Sequence, residues 1–281
     1  MDVTPAAKSP KQSAKSPARF KLAAIDLDGT LLGPDLTISP ENFRAVRALH
    51  ERQIEIVIAS GRHFLSVRPI IESLPEVHWI VSFQGAEVSD RDRNVVLGRT
   101  VMDPGHVELV LEQAIKLGLS PIVYGTDDVL TPVKHDDNLQ FYEDLSGLKP
   151  TQVTREKIIQ TPIFKVLWLG RPDQITAAAA VPTPGFTCDR VQTHHRILEF
   201  MPCGVSKAAG LQTLATRLNI SPSEAVVFGD ADNDIPMFKW AGYSVAMAHG
   251  WPEAIEAASL TSPAGPPETA LARAINAVLD R

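Results

Sequence analysis

The stretch AAIDLDGT, residues 23–30, places two carboxylates at the end of a short apolar run. The run from Leu22 to Ile25 predicts a buried strand of a parallel sheet. Side chains two residues apart point to the same face of an extended strand, so Asp26 and Asp28 can share one site. Because two acids are costly to bury without a cation or hydrogen bonds, the stretch indicates a functional site. The alternative is a solvated strand end with two incidental acids.

A strand, a helix and a second strand follow one another in the first part of the chain. The sequence Ser-Pro-Glu at residues 39–41 is a typical helix start, and the β-branched run Ile54–Ala59 predicts a second buried strand. Such a βαβ unit crosses over right-handed and makes its strands parallel. Since parallel strands end at one edge of the sheet, we expect Ser60 to emerge near Asp26.

The pattern changes twice along the chain and predicts three kinds of segment. Residues 1–20 are rich in Ala, Ser, Pro and Lys and poor in apolar residues, which predicts a disordered tail. Mixed hairpins and helices over residues 87–193 predict an inserted α+β unit. The βαβ pattern on either side of the insert predicts one α/β core made of residues 21–86 and 194–281.

The resumed core pattern supplies further charged residues to the same sheet edge. A predicted helix from Val205 to Leu218 carries Lys207 near its start, and an apolar strand ends in GDADND at residues 229–234. Carboxylates from separate strand ends form a cage of hard oxygens suited to Mg²⁺. A lysine and a serine hydroxyl nearby would hold a phosphoryl group. One carboxylate could then act as nucleophile and a second as acid and base.

Composition bounds the partners of the protein. The 281 residues carry a formal net charge of −6, which argues against a general nucleic-acid binder. The apolar runs are too short to span a bilayer, and the first residues lack the apolar core of a secretory signal. We therefore expect a cytoplasmic enzyme whose partner is a small phosphorylated metabolite, without nucleic acid or membrane.

Four motifs resemble those of the haloacid dehalogenase (HAD) superfamily. They are DLDGTLL at residues 26–32, SGR at 60–62, Lys207, and GDADND at 229–234. Their order, with a large insert between the second and third, is similar to the Cof-like sugar-phosphatase branch, and the resemblance spans about residues 21 to 281. It implies a Rossmann-like parallel-sheet core with an inserted α+β cap domain, and a phosphoric monoester hydrolase.

The resemblance also implies a role for each motif residue. Asp26 is implied to be the nucleophile that becomes an aspartyl phosphate, and Asp28 the general acid and base. Mg²⁺ is the implied cofactor, held by Asp26, the backbone carbonyl of Asp28, and Asp230. The other implied roles are phosphate contacts from Leu27, Ser60, Gly61, Lys207 and Asn233, charge neutralisation by Lys207, orientation of Lys207 or a metal-bound water by Asp234, and support from Arg62.

The predicted function is a Mg²⁺-dependent phosphatase that acts on sugar phosphates or similar metabolites through an aspartyl phosphate. The alternatives are a sugar phosphomutase of the same superfamily, a phospho-acceptor module, or a non-catalytic sugar-phosphate-binding protein. An acid and base such as Asp28 beside the phosphoaspartate would hasten its hydrolysis, which argues against the phospho-acceptor.

One departure from the branch is Gln84-Gly85-Ala86, where Asn-Gly-Ala is usual. Side chains that could also face the cleft are Arg62, Tyr124, His135, Lys165, His194 and Arg196.

Overall fold

A computed structural model describes residues 20–186 and 190–280, with Thr193 described by its backbone alone. The predicted disordered tail, residues 1–20, lies outside the described residues apart from Phe20. The Phe20 ring lies 6.0 Å from the Tyr243 ring between centroids, so this last residue of the predicted tail packs on the folded core. Among the described residues, the helices are too short or too polar to cross a membrane.

Strands and helices alternate along most of the chain. The strands are β1 (Leu22–Ile25), β2 (Glu55–Ala59), β3 (Val77–Ser82), β4 (Glu87–Asp90), β5 (Val96–Arg99), β6 (Ser120–Tyr124), β7 (Val129–Thr131), β8 (Thr151–Gln152), β9 (Lys165–Leu169), β10 (Arg190–His194), β11 (Ile197–Phe200), β12 (Ala225–Gly229), β13 (Tyr243–Ala246) and β14 (Leu260–Thr261). The α-helices are α1 (Pro40–Glu51), α2 (Phe64–Ile71), α3 (Pro104–Lys116), α4 (Asp137–Ser146), α5 (Arg155–Ile159), α6 (Pro172–Ala180), α7 (Lys207–Leu218), α8 (Ile235–Trp240), α9 (Pro252–Ala257) and α10 (Ala270–Leu279). Short 3-10 helices span Phe83–Gly85, Pro222–Glu224, Asp232–Asp234 and Pro267–Thr269.

The larger sheet has eight strands in the order β14-β13-β12-β1-β2-β3-β4-β5. Its strands from β14 to β3 run parallel, and β4 and β5 continue the sheet as an antiparallel hairpin. Strand β1 is buried along its whole length, as its uninterrupted apolar sequence requires between two helical layers. Ile25 is in register with Ile58 of β2 and Phe228 of β12, so these three strands end side by side.

The smaller sheet has six strands in the order β10-β11-β9-β6-β7-β8 and forms the cap. Its neighbouring strands are antiparallel except for β7 and β8. Helix α3 packs on one face, where Trp168 of β9 donates a hydrogen bond to the Val110 carbonyl at 3.1 Å. The α/β core and the inserted α+β unit of the predicted fold are both present.

The predicted boundaries of the insert, residues 87 and 193, differ from the boundaries of the cap sheet. Strands β4 and β5, residues 87–99, pair with β3 and belong to the core sheet. Strand β11, residues 197–200, pairs with β9 and belongs to the cap. A hairpin pattern does not encode which sheet it joins, and an apolar run such as β11 is typical of a buried strand in either unit. Because of this long-range pairing, both boundaries of the cap lie closer to the carboxyl terminus than the sequence predicts.

The cap packs against the core at the carboxyl ends of β2 and β3. Phe83, which follows β3, stacks on Phe164 of the cap with ring centroids 4.3 Å apart and planes 12° apart. His63, which follows β2, contacts Phe83 and Tyr124 edge-on at 4.8 and 5.1 Å. The cap thus covers the sheet edge at which the polar motif residues emerge.

Candidate active site

Asp26 occupies the first position after β1, where the backbone hydrogen bonds between β1 and β12 still continue. Its amide donates to the Phe228 carbonyl at 2.9 Å, so its backbone is fixed as firmly as that of the strand. The chain then turns at Gly29, whose φ is +76°. A Cβ on Gly29 would lie 2.4 Å from Asp230 Oδ2, so glycine is needed both for the turn and for the approach of Asp230.

Lys207 joins two acids from different strand ends. Its side chain is fully buried, and Nζ donates to Asp26 Oδ1 at 2.5 Å and to Asp234 Oδ1 at 2.6 Å. Ser206 caps helix α7 with its side chain and sets Lys207 at the first helical position. Burial alone would lower the pKa of Lys207, but Asp234 and Asp26 raise it above its ordinary value, so the ammonium remains charged.

Asp234 positions the loop after β12. Its second oxygen, Oδ2, accepts hydrogen bonds from the Asp230 amide at 2.9 Å and the Ala231 amide at 3.1 Å. With Lys207 on Oδ1, each Asp234 oxygen therefore has a protein donor. The side chain is fully buried and locks the loop that carries Asp230 and Asn233.

Asp26 and Asp230 carry negative charge that the described residues do not fully balance. Asp26 Oδ2 is buried and has no hydrogen-bond partner among these residues. Burial, followed by Asp234 and Asp230, raises the pKa of Asp26 despite Lys207. Burial and Asp234 raise the pKa of Asp230 to about 6. Oxygens of Asp26, Asp230 and Asp234 lie within 4.8 Å of one another, so the cluster fits a divalent cation. We call Asp26, Lys207, Asp230 and Asp234 the floor of the site.

Asp28 lies beside the floor, with its carboxylate turned to Arg62. Arg62 donates to both carboxylate oxygens, from Nη2 at 2.6 Å and from Nε at 2.9 Å. The side chain of Asp28 is 49% exposed, whereas that of Asp26 is 7% exposed. The two acids share one edge of the sheet, as their spacing predicts, but they have different partners.

The other predicted phosphate residues surround the floor. Ser60 is buried at the end of β2, and its Oγ accepts from the Arg62 amide at 3.1 Å. Asn233 donates from Nδ2 to Gln84 Oε1 at 3.2 Å. The structure therefore brings the four motif segments together, and Leu27 packs its side chain into the core between them.

The cap contributes a second polar cluster above Gly61. Lys165 Nζ donates to the Gly61 carbonyl at 2.8 Å and to Glu199 Oε2 at 2.9 Å. It also lies 4.8 Å from the centroid of the Tyr124 ring. The Lys165 and Glu199 side chains are 2% and 8% exposed. We call Tyr124, Lys165 and Glu199 the roof of the site.

Some side chains expected to face the cleft do so and others do not. Arg62, Tyr124 and Lys165 meet at the site, whereas His135 pairs with Glu143 of the cap at 3.2 Å. The other two contact residues outside the roof: His194 contacts Phe141, and Arg196 donates to the Gly170 carbonyl and to Asn138 Oδ1.

Sequence reasoning missed Glu199 and the contact role of His63. Glu199 is the one acid in the apolar strand β11, and a lone charge in such a run signals a buried partner. His63 Nε2 lies 3.1 Å from the Gly125 carbonyl and 3.2 Å from the Asp128 carbonyl, both in the turn between β6 and β7. The sequence signal for a role of His63 was its position directly after the polar residues that follow β2.

Comparison with known proteins matches this arrangement to one family. The profile of the haloacid dehalogenase-like hydrolases matches residues 23–275. An HMP-PP phosphatase of Serratia proteamaculans is 29% identical over 239 residues, which cover 83% of this chain and 86% of the relative. A haloacid dehalogenase-like hydrolase from Bacteroides thetaiotaomicron has a similar structure, with a TM-score of 0.82 and 25% identity over 92% of this chain and 99% of the other.

A sugar phosphatase of HAD subclass IIB shares the fold, with a TM-score of 0.80 at 19% identity over 92% of this chain and 98% of its own. The chain belongs to the haloacid dehalogenase-like hydrolase family. The predicted superfamily, its Cof-like branch, the α/β fold and the assignment as an enzyme are confirmed.

Proposed function

We propose that the protein is a Mg²⁺-dependent phosphatase that hydrolyses small phosphorylated metabolites, among them sugar phosphates. The observation that carries the proposal is the floor, where Lys207 holds one oxygen of Asp26 and leaves Asp26 Oδ2 buried without a hydrogen-bond partner among the described residues. A carboxylate that Lys207 fixes and whose negative charge it stabilises can act as a nucleophile. The phosphatase relative supports a phosphorylated substrate.

The residues of the floor fit Mg²⁺. Three carboxylates face one ammonium, and the pKa values of Asp26 and Asp230 are raised, so a divalent cation would balance the excess charge. Asp26, Asp230 and the backbone carbonyl of Asp28 would hold it. When bound, Mg²⁺ would draw charge from the phosphoryl oxygens and hold them in place.

The chain's own residues would carry the two steps of hydrolysis. The Asp26 carboxylate attacks phosphorus, the bond to the leaving oxygen breaks, and an aspartyl phosphate forms. Water then attacks phosphorus, which releases inorganic phosphate and restores Asp26. Lys207 compensates negative charge on the nucleophile, while Ser60 and Asn233 donate hydrogen bonds to phosphoryl oxygens.

Asp28 would move the protons. It would protonate the leaving oxygen in the first step and take a proton from the attacking water in the second. Both of its oxygens accept from Arg62 in this structure, so the acid role requires that this ion pair opens when substrate binds. Arg62 would therefore hold Asp28 close to the site between turnovers.

The roof supports a polar leaving group. Lys165 and Glu199 are buried and paired with each other, so they would offer a donor and an acceptor once the leaving group opens their ion pair, and Tyr124 would add an aromatic surface beside them. Sugar hydroxyls both donate and accept hydrogen bonds, and the C–H groups on one face of a sugar ring form an apolar surface that packs on aromatic rings. Polar groups of this kind discriminate strongly against ligands that leave them unpaired.

The test is phosphate release from a panel of sugar phosphates and an aryl phosphate, with and without Mg²⁺. Asp26→Asn should lower turnover by about 1,000-fold or more because the nucleophile is lost. Asp230→Asn should raise the Mg²⁺ concentration for half-maximal activity at least about tenfold. Asp232→Asn, an exposed acid of the same loop, is the matched control and should behave as the wild type.

Product analysis separates the phosphatase from the phosphomutase. Inorganic phosphate in step with loss of substrate supports hydrolysis, whereas an isomeric sugar phosphate supports transfer back to a bound sugar. Retained turnover in Asp26→Asn, or turnover unaffected by removal of divalent cations, would contradict the proposal.

A further inference from the structure

The segment Phe83–Gly85, which follows β3, touches three motif segments at once. The Gln84 amide donates to the Ser60 carbonyl at 3.0 Å. A Cβ on Gly85 would lie 2.0 Å from the carbonyl oxygen of Ser206, so the segment packs directly on the start of helix α7. The Gln84 side chain reaches Asn233 in the loop after β12. The carboxyl end of β3 is thus built into the candidate phosphate pocket beside the other strand ends.

Gln84 adopts a backbone conformation that its residue type disfavours. Its φ and ψ are +60° and +21°, in the left-handed region, and the residue is only 6% exposed. Glycine and asparagine tolerate this region more readily than glutamine. A buried residue held in a disfavoured conformation points to a role for its side chain, because the surrounding structure must compensate for the strain.

The Gln84 carboxamide makes two close approaches in the pocket. Its Oε1 accepts one hydrogen of Asn233 Nδ2 at 3.2 Å and leaves the second hydrogen for a phosphoryl oxygen. Its Nε2 lies against Gly61, where an added Cβ would be 2.4 Å away. An asparagine at position 84 is one methylene shorter, so its amide could not make both approaches from the same backbone.

We propose that Gln84 is a positioning residue of the phosphoryl pocket, which fixes the Asn233 carboxamide and closes the pocket over Gly61. The inference rests on the proposed function, because it concerns how that site holds the phosphoryl group. Gln84 acts on the part that all substrates share, whereas the roof faces the leaving group. Its loss should therefore weaken every substrate by the same factor and leave their ranking unchanged.

The test combines Gln84→Asn with Gln84→Glu. Gln84→Asn places a better-tolerated residue in the left-handed conformation, so the thermal stability of this variant should equal or exceed that of the wild type. Its kcat/KM should fall about tenfold for each substrate, as expected for one lost hydrogen bond. Gln84→Glu keeps the length and the acceptor for Asn233 but brings negative charge towards the phosphate. It should weaken inhibition by inorganic phosphate more than Gln84→Asn does.

A double-mutant cycle tests whether Gln84 acts through Asn233. The loss of affinity for inorganic phosphate in the variant Gln84→Asn with Asn233→Ala should be smaller than the sum of the two single losses, because the contact between the two side chains is removed in either single variant. Fully additive losses, a change in substrate ranking, or wild-type kcat/KM in Gln84→Asn would overturn the proposal. If Gln84→Asn does not fold, the same phosphate measurement on the isosteric Gln84→Glu decides.

Failure of the proposed function has a different signature. Phosphate binding to the wild type and the variants is followed by titration in the presence of Mg²⁺, which requires no turnover. A wild type that binds phosphate without hydrolysing any ester would contradict the phosphatase, and the phosphate affinities would still test Gln84.

Discussion

The floor and the roof of the site are held together by different balances of charge. The floor places three carboxylates, those of Asp26 and Asp234 buried and that of Asp230 partly buried, around one ammonium and leaves negative charge for a cation to balance. The roof pairs one ammonium with one carboxylate beside an aromatic ring. The floor is therefore incomplete without a ligand, whereas the roof is balanced by its own residues. We therefore expect that further apolar substitutions cannot restore the stability of a floor variant, whereas they can restore the stability of some roof variants.

The largest effect is expected from Lys207→Met in the floor. The substitution leaves Asp26 and Asp234 buried without their shared cation, so we expect the free energy of unfolding to fall by about 3–5 kcal/mol. Phosphate release should be lost as well. Urea unfolding without divalent cations measures the change, with Lys239→Met, an exposed lysine of α8, as the control. If Lys207→Met unfolded at the same urea concentration as the wild type, Lys207 would not be needed to balance the buried charges of Asp26 and Asp234.

The next effect concerns the ion pair of the roof. Lys165→Met removes the ammonium that donates to Glu199 Oε2 and should cost about 3 kcal/mol of stability. The double variant Lys165→Met with Glu199→Leu replaces the pair by apolar groups and should regain most of that loss, because a buried ion pair contributes little net stability.

Activity gives the roof variants an independent readout. In the double variant, discrimination between sugar phosphates and an aryl phosphate should shrink, while inhibition by inorganic phosphate stays at the wild-type level. Two results would contradict this difference between the floor and the roof. One is a double variant that is as unstable as Lys165→Met, and the other is weaker inhibition of the double variant by inorganic phosphate.

The floor could be predicted from the sequence because each of its residues lies in a short motif at a predicted strand end or helix start, and parallel pairing brings these ends to one edge of the sheet. The strand Leu22–Ile25 is observed with the bounds that its apolar run predicts. Parallel neighbours then bring Ser60 and the loop after β12 to the same edge as Asp26. What the spacing could not predict is the orientation of the Asp28 carboxylate, because the turn at Gly29 and the reach of Arg62 decide it.

The sequence indicates Tyr124 and Lys165 as side chains that could face the cleft, but the ion pair of Lys165 with Glu199 could not be predicted because it depends on pairing between distant residues. Lys165 and Glu199 come together only when β11 pairs with β9, although the apolar run of β11 reads equally well as a core strand. The hairpin of β4 and β5 shows the same limit, since its local pattern is independent of the sheet it joins. A run of about four to eight residues predicts a strand, whereas the partner of that strand is a property of the whole chain.

The smallest effect is expected at His63, which connects the core to the roof side of the site. Its Nδ1 accepts from the Leu65 amide at 3.1 Å and caps α2, while Nε2 faces the Gly125 and Asp128 carbonyls. His63→Asn keeps a good helix cap and removes the contact with the cap domain. We expect a loss of about 1–3 kcal/mol at pH 7, because the buried Gly125 carbonyl loses the His63 donor and the Asp128 carbonyl keeps only the Gly125 amide.

The effect of His63 should depend on pH in one direction. Burial, followed by the charge of Arg93, lowers the pKa of His63 from 6.5 to about 4 in the folded protein. Between these values the unfolded chain binds a proton that the folded chain does not, so acidification favours unfolding. The wild type should therefore lose up to about 3 kcal/mol relative to His63→Asn between pH 7 and pH 4. Urea unfolding of both proteins across this range measures it, and a difference that does not change with pH would show that His63 is not held neutral by the fold.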